Sequence, residues 1–64
     1  MTGTIKNVYP EKGFGFIKGE NGVSYFFHRS CLKNVQIDEV GVGQEVTFED
    51  AEGEKGPRAE DVYV

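Results

Sequence analysis

The chain has a single cysteine, Cys31, so it can form no internal disulfide, and a stapled secreted scaffold is excluded. It also has a single histidine. His28 and Cys31 would supply only two of the roughly four ligands a structural metal needs, so no metal site is expected. No apolar run approaches about 18 residues and no signal-peptide pattern opens the sequence, which predicts a cytoplasmic protein without membrane contact. One histidine, one cysteine and scattered carboxylates make no catalytic constellation, so neither an enzyme nor a cofactor is expected. Gly13 and Gly15 lack the strand–loop–helix setting of a phosphate loop. No segment holds a helical period over three turns, and no repeat, linker or low-complexity stretch is present. The 64 residues read as one domain, 1–64, near the lower size limit for unaided folding. A core of that size leaves a margin of only about 3–5 kcal/mol.

Positive charge is scarce overall, since the net charge is −4, but it is unevenly placed. Through Ile37, five basic residues (Lys6, Lys12, Lys18, Arg29, Lys33) face two acids (Glu11, Glu20), a balance of +3. From Asp38 onward nine acids face Lys55 and Arg58, a balance of −7. The first part therefore suits a polyanion better than the second, and affinity for one must rest largely on something other than charge.

What the chain does have is aromatic and β-branched residues in short runs broken by glycine. The runs are Thr4 to Tyr9, Gly13 to Lys18, Val23 to Arg29, Gln44 to Glu49 and Arg58 to Val64. Gly19-Glu20-Asn21-Gly22 is a reverse-turn signal that joins the second and third runs as a hairpin, and a further turn is expected across Glu52 to Pro57. Between the third and fourth runs, Ser30 is placed to cap one helical turn through Lys33, while Gly41 and Gly43 forbid a longer helix. Cys31 reads as a small buried residue beside that turn. Five short strands in so short a chain predict a small all-β barrel, because closure hides the sheet edges.

Strand alternation then divides the side chains. An even-with-even register across the hairpin puts Phe14, Phe16, Lys18, Phe26 and His28 on one face. Ile17, Val23, Tyr25 and Phe27 fall on the other, joined in the expected core by Ile5, Leu32, Val46, Phe48, Ala59 and Val62. A small barrel has one interior, so three phenylalanines and a histidine are left outside it. Exposed rings of this kind mark a binding surface. With Lys6, Lys12, Lys18 and Arg29 interleaved, they suit single-stranded nucleic acid, whose bases stack on rings while its phosphates meet cations.

Lys12-Gly13-Phe14-Gly15-Phe16-Ile17 resembles the ribonucleoprotein signature of RNA-recognition motifs. That fold is excluded, since its signature follows a helix and only eleven residues precede Lys12. On an early strand, followed at once by Tyr25-Phe26-Phe27-His28-Arg29, the signature resembles the bacterial cold-shock domain. Gly3 to Lys6, Gly43 to Phe48 and Lys55 to Ala59 extend the resemblance across nearly the whole chain. It implies an all-β, five-stranded antiparallel OB-fold barrel, monomeric, that binds single-stranded RNA or DNA as an RNA chaperone or antiterminator. Its stacking residues map onto Phe14, Phe16, Phe26 and His28, and its basic contacts onto Lys6, Lys12 and Lys55, with Arg58 adjacent.

The chain departs from the family at three places. Asn7-Val8-Tyr9 stands where the family has Trp-Phe-Asn, and no tryptophan occurs anywhere. Arg29 stands where an aromatic follows the histidine, and the long loop from Leu32 to Val46 offers no phenylalanine. Losing two stacking platforms weakens binding by about 30-fold to 10⁴-fold. Arg29 recovers part of this through its flat guanidinium, and Tyr9 does so if its ring faces outward. The alternative is a divergent cold-shock-like domain whose face is degraded or repurposed, acting as a protein-interaction or accessory module.

Overall fold

Glycine and the Asn-Gly turn break the chain into segments too short for helices, and alternation gives each segment one apolar face. The computed structural model of the protein describes residues 1–53 and 56–64. Its strands are β1 (Thr2–Tyr9), β2 (Phe14–Gly19), β3 (Ser24–His28), β4 (Glu45–Gly53) and β5 (Gly56–Tyr63). They close into a barrel in the order β1-β2-β3-β5-β4. Four of the five ladders are antiparallel; the seam between β3 and β5 is parallel and pairs Phe26 with Arg58. No α-helix occurs among the described residues, only the 3₁₀ turns Arg29–Cys31 and Ile37–Glu39.

The interior is filled by Ile5, Ile17, Tyr25, Phe27, Cys31, Val46, Phe48, Ala59 and Val62, with Val8, Leu32 and Ile37 packed against them. Phe27 is the largest side chain wholly enclosed. Burying such a side chain contributes roughly 1.5–3 kcal/mol. Two expected core members differ. Leu32 is only partly buried, and Val23 is 38% exposed. The reason at Val23 is local: its N–H donates to Asn21 Oδ1 at 3.1 Å and its carbonyl accepts from Gly19 N–H at 2.8 Å. The side-chain turn at Asn21 keeps Val23 in the connection, and β3 begins one residue later.

Gly15 lets β1 and β2 close over the core. A Cβ there would stand 2.6 Å from the Asn7 carbonyl oxygen and 2.6 Å from the Phe27 ring. Gly13 enters β2 with φ of +77°, in the left-handed region that favours glycine. The turn after β3 lies earlier in the chain than expected and has a different cap. His28, still extended at φ −97° and ψ 153°, accepts the Ser30 N–H on Nδ1 at 3.1 Å, and the turn ends at Cys31. β4 runs on past Glu49, so that its ladder with β5 reaches Gly53 opposite Gly56.

Candidate nucleic-acid interface

The β2–β3 register is even-with-even: Phe14 opposes His28, Phe16 opposes Phe26 and Lys18 opposes Ser24. Because Ile17, Tyr25 and Phe27 take the interior, this set is turned outward. Phe14, Phe16 and Phe26 are half-buried and His28 is exposed. Phe14 and Phe26 approach to 5.6 Å between ring centres, Phe16 and Phe26 to 5.9 Å, and Phe14 and Phe16 to 6.2 Å edge-on. These tilted and edge-to-face packings brace the rings against one another and leave ring surface facing solvent.

β1 adds to this surface through an irregularity in its ladder. Ile5 pairs with Ile17, but the register then shifts, and Asn7 pairs with Phe16 and Tyr9 with Phe14. Cross-strand partners share a face, so Asn7 stands beside Phe16, and the Tyr9 ring meets that of Phe14 at 5.3 Å. Tyr9 is therefore a fourth ring in the row, an outcome that alternation alone left open. The bulge that carries it outward has no local signature in Lys6-Asn7.

The cations sit around the rings. Lys12, in the turn before β2, holds its Nζ 6.0 Å from the centre of the Tyr9 ring, at the outer limit of a cation–π contact. Arg29 lies beside it: its backbone N–H donates to Gly13 O at 2.8 Å, and its stem crosses the position where a Gly13 side chain would be. At the far end, Lys6 Nζ donates to Ser24 Oγ at 3.3 Å, and Lys18 faces Ser24 across the ladder. Arg58 reaches the rings by the parallel seam with Phe26, from a part of the sequence that is otherwise acidic. Lys55 lies outside the described residues. The imidazole of His28 is tied to the capping turn, with Nδ1 2.9 Å from Ser30 Oγ as well as accepting the Ser30 N–H. That second bond requires a lone pair on Nδ1, so in the neutral ring the proton is on Nε2.

Across residues 1–64 the chain matches the family model of the 'Cold-shock' DNA-binding domain. It belongs to the cold-shock domain family. It is 46% identical to the cold shock-like protein CspLB of Listeria monocytogenes over 62 residues, covering 97% of this chain and 94% of that one. Cold shock protein 2 of Lactiplantibacillus plantarum is 40% identical over 94% of this chain and 91% of its own. A major cold shock protein of Streptococcus pyogenes is 44% identical over 89% of this chain and 85% of its own. Cold-shock domains bind nucleic acid and are not enzymes, and that general function holds for this cold-shock domain. Among the described residues, no helix is long and apolar enough to cross a membrane.

Proposed function

We propose that this cold-shock domain, residues 1–64 acting as one unit, binds single-stranded RNA or DNA by stacking unpaired bases on Phe14, Phe16, Phe26 and His28. Tyr9 extends the row, and Lys6, Lys12, Lys18, Arg29, Lys55 and Arg58 supply positive charge. The protein works as a cytoplasmic monomer of the RNA-chaperone or antiterminator type. The observation that carries this reading is a contiguous row of aromatic side chains on the outside of a barrel whose interior other residues already fill. Stacking contributes about 1–3 kcal/mol per base and tolerates any base, because each has a π-face. The lack of tryptophan and the net charge of −4 favour the rival reading, a face repurposed for protein contact.

Titration with a short oligo-dT separates the two readings. Phe14→Ala combined with Phe16→Ala removes binding while leaving a cooperative unfolding transition. A double variant that unfolds outright makes those rings structural, and a wild type that ignores oligo-dT favours the rival. The same titration at several salt concentrations gives a log–log slope of about −2 to −3 if three or four phosphates are neutralised. A slope steeper than about −5 would require a basic surface beyond these six residues.

A further inference from the structure

A groove separates the rings of Phe16 and Phe26 from the β4–β5 hairpin, where Glu52, Gly53, Pro57 and Arg58 line it. Arg58 is fixed there twice over. The parallel seam sets its backbone against Phe26, and its stem lies so close to Gly53 that a Cβ on that glycine would stand 3.0 Å from Arg58 Cδ. Its Nε is enclosed and has no hydrogen-bond partner among the described residues. With Nε enclosed, the edge of the planar guanidinium left to offer a ligand is its terminal pair, Nη1 and Nη2, whose N–H groups form a fork.

A single strand offers two kinds of acceptor, phosphate oxygens and base edges. Glu52 lines the same groove and opposes a phosphate, whereas two phenylalanine rings favour a flat base. Among the bases, guanine sets O6 and N7 side by side, the pattern a guanidinium fork matches with two parallel bonds. Adenine places an amino donor beside N7, and thymine separates its carbonyls with an N–H. Cytosine has two neighbouring acceptors but the smaller ring to stack. We infer that this groove is a base-reading subsite in which Arg58 selects guanine. The inference rests on the stacking reading above and adds a base preference that stacking alone does not supply.

The test compares oligo-dT with the same strand carrying one central dG, dC or dA, at one salt concentration. The dG strand binds the wild type about 5-fold to 150-fold more tightly than oligo-dT. Arg58→Met keeps an unbranched stem over Gly53 without the donors, and brings that ratio close to one. Arg58→Lys, which keeps the charge but not the fork, does the same. Equal affinity for dT and dG strands, a preference for dC or dA, or a dG preference that survives either substitution overturns the inference and leaves stacking standing. Failure of every strand to bind overturns the stacking reading and the inference together.

Discussion

The outer face of the β1–β3 sheet carries Tyr9, Phe14, Phe16 and Phe26, while the outer face of β4 and β5 carries Glu45, Glu49 and Glu60. Both sets alternate with core residues along their strands, so the barrel treats them alike. Neither is what stability alone would choose. One row leaves rings partly in water; the other sets Glu49 directly opposite Glu60, a like-charge pair that opposes folding. The interior makes the barrel, and in the proposed reading the outward rings serve recognition. The acidic outer face of β4 and β5 opposes a polyanion, so in the proposed reading a strand lies over the rings and meets this hairpin only at its Arg58 edge.

The sharpest contrast lies between neighbours in the chain. Phe27 is fully enclosed and Phe26 is half-buried on the ring surface. Phe27→Ala costs about 3–5 kcal/mol, which matches the whole margin expected for so small a core, so its cooperative thermal transition disappears. Phe26→Ala keeps that transition and loses affinity for oligo-dT. If the two variants unfold alike, the division into inner and outer rings fails.

A smaller effect sharpens the recognition side. Asn7→Trp puts an indole beside Phe16, where the bulge in β1 already turns the side chain toward the ring surface. Affinity for oligo-dT rises about 5-fold to 150-fold, with quenching of the introduced tryptophan. An unquenched indole with unchanged affinity would show that a strand does not pass over this position.

The smallest effect probes the acidic side. Glu60→Lys replaces repulsion from Glu49 with attraction and raises stability by about 0.2–1 kcal/mol, read as a higher midpoint in urea. Salt stabilises the wild type more than this variant, since it screens a repulsion that the variant lacks. Equal salt responses would mean the pair contributes nothing.

The β2–β3 hairpin was legible because two clean alternations meet at Asn21-Gly22, and a slip by one residue would send Phe27 and Ile17 into water. The core was legible for the same reason at Ile5, Val46, Phe48, Ala59 and Val62. Val23 was misread because alternation says nothing of a turn that holds its own backbone through Asn21. The cap was misplaced because Ser30 is a good capping residue by type, whereas His28 occupies the capping position and its imidazole takes the Ser30 N–H.

By itself, the order of residues along the chain determined the inward and outward sets of β2 and β3, since a period of two fixes faces without any partner strand. It also determined the family, through Lys12 to Ile17 and Tyr25 to Arg29. Only the tertiary structure decided that Tyr9 joins the rings and that Asn7 stands beside Phe16, because a register shift is a property of two paired strands. It alone brought Arg58 against Phe26, since a parallel seam between β3 and β5 joins residues far apart in sequence. Such contacts depend on how the barrel closes, and closure is set by all five strands together.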